Sequence, residues 1–309
     1  LEDTLRNTRA VLELAGRGDV EVAAGRPTPL LRALETTPET HGPRGLGYSD
    51  LPEPSRPASY RFGPDLIVEE ARRRPGELTL VTLGPLTNLA IALLIEPTLP
   101  RLLRRWVCMG GASRVPGNTT PVSEWNVHCD PEAGRLVLAA WQAAVDTDET
   151  TPRAVLLGLD VTEQARLTTD DMVALARRAG SRPDDTLDRD RDPLAPEHRS
   201  VASNPMIRFL ADALRFYFEF HARYDGFYGA FVHDPLVVAA ALDPSLVTVE
   251  AVAVEIEASG GPADGETIAD WRRTGGRRPN ADVATTVDAE AFRARLIERV
   301  GALAASREG

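Results

Sequence analysis

The sequence predicts a single large α/β domain built on an open, mostly parallel β-sheet with helices on both faces. The first reason is size: the chain has 309 residues, 43% of them hydrophobic, which is enough to bury a large core. The second is order, because short apolar runs alternate along the chain with longer segments of helical periodicity. That alternation is typical of parallel sheets whose two faces are covered by helices.

The individual elements follow from periodicity and from the glycine, proline and capping residues at their ends. Apolar residues three and four positions apart predict helices at 5–15, 65–74, 86–94, 130–141, 170–179, 204–224, 234–241 and 288–305. Short apolar runs predict strands at 20–24, 77–83, 106–109, 154–159 and 281–287. Residues 247–256 alternate in polarity, which predicts an exposed strand.

Two segments interrupt this pattern. Residues 35–61 are rich in proline, glycine and serine, which predicts a loop. Within it, residues 41–47 have the sequence HGPRGLG, and glycines at this density let backbone approach a ligand or turn sharply. Residues 181–203 are charged and contain prolines, so we expect a mobile surface insertion there.

The composition limits the partners and the compartment. The formal net charge is −11, so we expect no general affinity for nucleic acid, whose phosphates are bound by clustered Lys and Arg. No apolar run reaches the roughly 18 residues that a membrane-spanning helix needs, and we expect no membrane association. Cys108 and Cys129 form neither a CxxC pair nor a disulfide framework, which favours buried thiols and a cytoplasmic location.

A first group of polar residues follows the strand predicted at 106–109. The turn Met109-Gly110-Gly111 leads into a loop that carries Asn118, Glu124 and Asn126. Ligands of open α/β sheets bind beyond the carboxyl ends of strands. Two amides and a carboxylate suit a polyhydroxylated ligand such as a sugar, because each hydroxyl both donates and accepts hydrogen bonds. On residue types alone, an ordinary polar loop with a helix cap is the open alternative.

A second group, Val232-His233-Asp234-Pro235, opens an apolar helix. Asp234 is suited to cap this helix, or alternatively to bind a divalent cation with its carboxylate. His233 is placed beside it as a proton donor, since imidazole titrates near neutral pH. A third, weaker signal is the turn after Leu83, which exposes a strand-end carbonyl of the kind that calcium accepts.

Together these motifs resemble the inosine–uridine-preferring nucleoside hydrolases. The resemblance runs from about residue 3 to residue 300 and leaves the insertion at 181–203 unmatched. Several ordered motifs at matching spacing make it far more specific than any single motif. The matching stretches are 41–47 (HGPRGLG), 80–90 (LVTLGPLTNLA), 107–112 (VCMGGA), 117–133 (GNTTPVSEWNVHCDPEA), 157–162 (LGLDVT), 233–244 (HDPLVVAAALDP) and 278–283 (RPNADV).

The resemblance implies a nucleoside hydrolase-like domain that hydrolyses the N-glycosidic bond of ribonucleosides to ribose and free base, using a calcium-bound water. It implies two groups of site residues. Asp234 and the Leu83 carbonyl would bind Ca²⁺, and His233 would protonate the base, with Asp234 and His233 as the catalytic pair. The substrate-binding residues it implies are Met109 under the sugar, Asn118, Glu124 and Asn126 on the ribose hydroxyls, and Trp125, His41, Tyr217 and His221 around the substrate.

The same resemblance leaves several expectations open. The substrate is a small nucleoside, and the protein is expected to be a homo-oligomer, either a dimer or a tetramer. One alternative is a hydrolase of another or a modified N-riboside. The other alternative is a nucleoside- or ribose-binding protein without catalysis. Trp125 replaces the more usual Phe, which implies a tighter pocket. His221 stands where some relatives have another aromatic residue, so the resemblance assigns no preferred base.

One family feature is missing from the sequence. The family begins with an aspartate-rich motif of the DxDxxxDD kind, which supplies further calcium ligands and the aspartate that activates water. No such motif is found here. Other acids do not stand in for it, since Asp130 is expected to cap its own helix and Asp160 to end a strand. The resemblance therefore implies a domain over 1–309 that is incomplete at its N-terminus, with an incomplete metal site.

Overall fold

The computed structural model describes residues 1–182 and 199–307. Its helices are α1 Glu2–Leu14, α2 Pro38–His41, α3 Gly63–Arg73, α4 Thr87–Ile95, α5 Leu99–Leu102, α6 Trp125–Cys129, α7 Pro131–Thr147, α8 Leu159–Thr162, α9 Thr169–Arg178, α10 Pro205–Tyr224, α11 His233–Leu242 and α12 Ala289–Ala305. Its strands are β1 Ala23–Ala24, β2 Ser59–Phe62, β3 Thr79–Thr82, β4 Arg105–Met109, β5 Ala154–Leu157, β6 Arg166–Leu167, β7 Ala230–Phe231, β8 Val247–Val252, β9 Val254–Ile256, β10 Thr267–Ala269 and β11 Ala281–Val287.

The largest sheet confirms the predicted α/β class. Across the described part of the chain its five strands lie in the order β3-β4-β5-β11-β8. Strands β3, β4, β5 and β11 are parallel, and β8 is antiparallel to β11. Because the four parallel strands end at one edge, the loops that follow them meet there, and this edge is where a ligand site is expected.

Two of the three hydrophobic clusters in the described part of the chain lie on opposite faces of this sheet. Strand β4 shows why, since its side chains alternate between the faces. Trp106 and Cys108 belong to the cluster that also holds Trp141, whose ring centroid is 4.4 Å from that of Trp106. Val107 and Met109 belong to the opposite cluster, which includes residues of α10 and α11. Met109 is therefore on the same face as the helix that begins at His233.

Short elements were missed by the sequence reading. The predicted loop 35–61 contains α2 and β2, and β2 pairs in parallel with β1. The loop before residue 130 contains α6, and the strand predicted to reach 159 ends at Leu157 and is followed by α8. Helices of four or five residues are too short to show a 3.6-residue period, so sequence periodicity does not reveal them.

The prediction of one exposed strand at 247–256 is wrong. The segment forms two strands, β8 and β9, which pair with β11 and β10 respectively. At the change of partner the buried Asn280 side chain accepts a hydrogen bond from Val254 N at 2.8 Å and donates one to Val254 O at 2.9 Å. The Asn280 side chain thus makes the hydrogen bonds that a neighbouring strand would otherwise make with Val254. Val254 and Ile256 of β9 are buried.

Two further predictions concern the insertion at 181–203 and the absence of a membrane-spanning helix. Of the insertion predicted at 181–203, residues 183–198 lie outside the described residues. Among the helices that are described, none is both long enough and apolar enough to cross a membrane.

Asp130 joins three separate segments through one buried carboxylate. It caps α7 by accepting a hydrogen bond from Ala133 N at 3.1 Å, as the sequence predicted. Its other oxygen accepts bonds from Leu30 N at 2.8 Å and from the Thr87 hydroxyl at 2.6 Å. With the residue only 1% exposed, these bonds replace its lost hydration and fasten the N-terminal loop and α4 to α7.

We predict that Asp130→Ala lowers the free energy of unfolding by at least about 3 kcal/mol, because it removes a cap and leaves buried donors unsatisfied. The matched control is Asp288→Ala, which removes the exposed cap of α12 and is expected to lose only about 1 kcal/mol. Urea unfolding of both variants measures the difference. Equal losses would show that Asp130 is no more than a helix cap.

Candidate functional site

The candidate site lies at the edge where β3, β4 and β5 end. Three chain segments meet there: the loop between β4 and α6, the start of α11 and the C-terminal half of α10. A small cavity of about 20 Å³ lies at this edge and is lined by Gly84, Met109, Gly110 and Asn126 together with core side chains such as Trp106, Leu138 and Ile256. The strand-end turns at Gly84 and Gly110, predicted separately from the sequence, therefore face one space.

Gly111 makes the turn after β4 possible. Its φ is +88°, and a Cβ at this position would lie 2.6 Å from the Thr267 hydroxyl oxygen. Any other residue would be both strained and obstructed here. The turn points Gly111 N towards Glu124 Oε2, to which it donates a hydrogen bond of 3.0 Å.

Glu124 is a buried carboxylate held by backbone N–H groups. It caps α6, with Oε1 accepting from Asn126 N at 2.8 Å and Oε2 accepting from Val127 N at 3.2 Å in addition to Gly111 N. Burial, with a smaller contribution from the charge of Asp234, raises its pKa to about 7 in spite of these three bonds. Glu124 thus both caps a helix and places a titratable carboxyl at the sheet edge.

The neighbouring residues of this loop are partly brought together. The Asn126 amide nitrogen lies 3.3 Å from Met109 O and 3.1 Å from Met109 Sδ. Asn118 is exposed, and its Oδ1 accepts a bond from Trp125 N at 3.0 Å. Met109, Glu124 and Asn126 therefore form one group, whereas Asn118 is connected to it only through the backbone of Trp125.

Asp234 does not cap α11, so that alternative is wrong. The helix begins at His233, its N-cap is Val232, and no side chain bonds to its first turn. Within the described residues no donor lies within hydrogen-bonding distance of the Asp234 carboxylate, and burial raises its pKa to about 6. Its charge also raises the pKa of Glu124 and Tyr217, which puts the three groups in one neighbourhood. A half-buried carboxylate without a donor is suited to bind a cation.

The second proposed metal ligand, Leu83, directly follows β3 and is 39% exposed. A carboxylate and a carbonyl are oxygen donors of the type calcium prefers, but calcium takes 6–8 of them. Over residues 1–182 and 199–307 no three His, Cys, Asp or Glu side chains group together in a way that could hold a metal. Asp234 and Leu83 fit a calcium site as part of a ligand set, and these residues do not complete it.

His233 is held by a hydroxyl. Its Nδ1 lies 2.8 Å from the Thr162 hydroxyl, which has no other hydrogen-bond partner in the part of the chain described. If the hydroxyl uses its proton in this bond, Nδ1 accepts and the ring proton sits on Nε2. Burial, reinforced by His221 and His41, lowers the pKa of His233 to about 4, so the ring is neutral at pH 7 with Nε2–H as its donor.

The last predicted residues form an aromatic wall beside His233. Tyr217 is half-buried, with its ring centroid 4.4 Å from that of His221 and 5.0 Å from that of His41. Phe231 connects this wall to His233, at centroid distances of 4.9 Å from His221 and 5.8 Å from His233. The structure therefore brings His41, Tyr217 and His221 together, as the resemblance implied.

Sequence reasoning missed several supporting residues. Asp160, expected only to end a strand, lies in the first turn of α8 and accepts bonds from Ser113 N, the Ser113 hydroxyl and Arg114 N at 2.7–3.0 Å. Thr162 belongs to a matching motif but was given no role. Asp225 bonds to His221, and its position four residues later in the chain is a signal that could have revealed it.

Comparison with known proteins agrees with the geometry. A family model described as "Inosine-uridine preferring nucleoside hydrolase" matches residues 1–294. The chain is 34% identical over 300 residues to the pyrimidine-specific ribonucleoside hydrolase RihA of Citrobacter koseri, covering 97% of this chain and 85% of that protein.

Two solved structures are similar over nearly the whole fold. One is the purine-preferring ribonucleoside hydrolase from Gardnerella vaginalis, with a TM-score of 0.83 and 27% identity, covering 99% of this chain and 87% of that one. The other is a plant nucleoside hydrolase, PpNRh1, with a TM-score of 0.79 and 29% identity, covering 97% of this chain and 86% of that one.

The raised pKa of Glu124 predicts a pH-dependent stability. Since the protonated form is favoured in the folded state, its stabilising contribution is fully present below pH 4.5 and is lost as the pH rises through about 7. We expect the unfolding free energy of the wild type, relative to Glu124→Gln, to fall by up to about 3 kcal/mol over this window. Denaturant titrations in the presence of a chelator measure it. A constant difference would mean that the three N–H donors keep Glu124 ionised throughout.

Proposed function

The chain belongs to the inosine-uridine preferring nucleoside hydrolase family, and we propose that the site at its sheet edge carries out the reaction of that family. The protein is an N-glycosyl hydrolase that cleaves ribonucleosides into ribose and free base. The observation that supports this site most directly is Asp234, a desolvated carboxylate without a donor among the described residues, next to the neutral imidazole of His233. The relatives are named pyrimidine-specific and purine-preferring, so we assign no preferred base.

The sugar is proposed to bind against Met109, Glu124 and Asn126, with Asn118 at the rim. Cleavage of an N-glycosidic bond passes through an oxocarbenium-like transition state, in which the sugar ring gains positive charge. A buried carboxyl and amide dipoles stabilise that charge because they are already oriented and water is excluded. Glu124 is well suited to this role, since three backbone N–H groups fix its position.

Calcium is the proposed ion, held by Asp234 and the Leu83 carbonyl together with further oxygen ligands. When bound, such an ion orients the ribose hydroxyls and acidifies a coordinated water. Asp234 contributes the negative charge, and its proposed role accounts for a carboxylate that the fold desolvates and gives no donor.

The base is proposed to lie between His233 and the wall of Tyr217, His221 and His41, with Trp125 near the sugar. His233 supplies Nε2–H to a ring nitrogen of the departing base, which stabilises the charge that develops there. Thr162 positions this donor by occupying Nδ1. A homo-oligomeric state, dimer or tetramer, and a cytoplasmic location stay predictions.

We predict that His233→Ala, in the protein expressed from its full-length gene, slows inosine hydrolysis at least about 100-fold. It should barely affect p-nitrophenyl riboside, whose leaving group is stable as an anion and needs no donor. Steady-state kcat/KM values on both substrates test this. Thr162→Val, which frees Nδ1 to take the proton, should give a smaller loss of the same selectivity.

Comparison of the two substrates also distinguishes a wrong role for His233 from a wrong proposed function. Equal losses on inosine and p-nitrophenyl riboside would assign His233 to general binding or to structure. Absence of wild-type turnover on inosine, uridine and p-nitrophenyl riboside would refute the proposed function itself.

A further inference from the structure

The end of α10 places a carboxylate directly over His221. The helix ends at Tyr224, and the next residue, Asp225, is its C-cap, with its backbone N–H donating to His221 O at 2.8 Å. Asp225 is thus one helical turn beyond His221, and its Oδ2 lies 2.7 Å from His221 Nδ1. The Asp225 side chain is 42% exposed, whereas that of His221 is only 5% exposed.

Surrounding rings fix the plane of the His221 imidazole. Phe227 stacks on it at an interplanar angle of 21° and a centroid distance of 5.3 Å. Phe231 meets it edge-on at 4.9 Å, and Tyr217 packs at 4.4 Å. With Nδ1 bonded to Asp225, the other nitrogen, Nε2, lies in the buried part of the molecule. There Nε2 has no hydrogen-bond partner among the described residues.

The partner of Nδ1 decides what Nε2 can do. A carboxylate accepts hydrogen bonds and cannot donate, so Nδ1 carries the proton in this pair. Burial lowers the pKa of His221, while Asp225 raises it and Arg166 lowers it. His41 and His233 are the other titratable groups that interact with the ring. In the neutral ring, Nε2 is therefore an acceptor.

His233 has the opposite arrangement. A hydroxyl that donates to its Nδ1 leaves Nε2–H as a donor, whereas a carboxylate at Nδ1 of His221 can only accept and leaves Nε2 as an acceptor. A ligand seated against both rings would thus meet one donor and one acceptor. A flat heterocycle with both kinds of group matches such a pair.

We propose that Asp225 is a positioning residue that fixes His221 as a hydrogen-bond acceptor, through which the site selects bases with a ring N–H. This inference rests on the proposed function. The ring N–H groups are N3–H of uracil and N1–H of hypoxanthine. At the same ring positions cytosine and adenine carry lone pairs, which would face the lone pair of Nε2. Each pair of bases has nearly the same shape, so the distinction is one of hydrogen bonding.

The first test reads the tautomer directly and needs no enzymatic activity. NMR of protein with ¹⁵N-labelled histidine reports which nitrogen of each of the five imidazoles is protonated, and His221→Phe assigns the signal. We expect His221 to carry its proton on Nδ1, and Asp225→Asn to increase the Nε2–H form. Protonation of Nε2 rather than Nδ1 in the neutral wild-type ring would overturn the proposal.

The second test measures selectivity. The kcat/KM ratios of uridine to cytidine and of inosine to adenosine are compared in the wild type, His221→Phe and Asp225→Asn. His221→Phe keeps the ring packing and removes both nitrogens, so both ratios should fall about tenfold, the value of one hydrogen bond. Asp225→Asn should lower both ratios by a smaller factor.

Asp148→Asn is the matched control, because Asp148 is the C-cap of α7 and contacts none of these rings. It should leave both ratios unchanged. Ratios that stay the same in His221→Phe, while turnover continues, would overturn this inference and leave the proposed function standing. Absence of turnover on all four nucleosides by the wild type would instead refute the proposed function, and the NMR measurement would still decide the tautomer.

Discussion

Two carboxyl groups, Glu124 and Asp234, are buried at the carboxyl edge of the parallel sheet, and the cost of desolvating them shapes this face of the molecule. Removing a carboxylate from water is unfavourable unless hydrogen bonds or an opposite charge replace the hydration. Glu124 receives three backbone N–H bonds, which require the tight turn at Gly111 and the short helix α6. Asp234 receives none from the described residues, and we propose that a bound cation balances its charge.

The two histidines of the site, His221 and His233, are likewise distinguished by their hydrogen-bond partners. Each imidazole is desolvated by the aromatic wall, which keeps both rings neutral at pH 7. What then distinguishes them is the group at Nδ1, a threonine hydroxyl for His233 and an aspartate for His221. Two identical side chains are thereby proposed to serve different roles, donating to the leaving base and accepting from its ring N–H.

Sequence periodicity predicted the long elements but not the contacts that complete the site. Helices such as α10 and α12 and the parallel strands follow from apolar spacing, because their packing repeats along the chain. Motifs indicated His233 and Glu124 as site residues. They did not reveal that Glu124 caps α6 and accepts three backbone hydrogen bonds, or that Asp234 caps no helix. Those facts depend on tertiary contacts, such as that of Thr162 with a histidine 71 positions away, which no local pattern contains.

The central claim is that Asp234 is a ligand for calcium, and isothermal titration with Ca²⁺ tests it most directly. The protein expressed from its full-length gene is compared with Asp234→Asn and with Asp243→Asn, which removes a carboxylate at the other end of α11. The account predicts that Asp234→Asn abolishes calcium binding and that Asp243→Asn retains the wild-type affinity. Wild-type affinity in Asp234→Asn would contradict it.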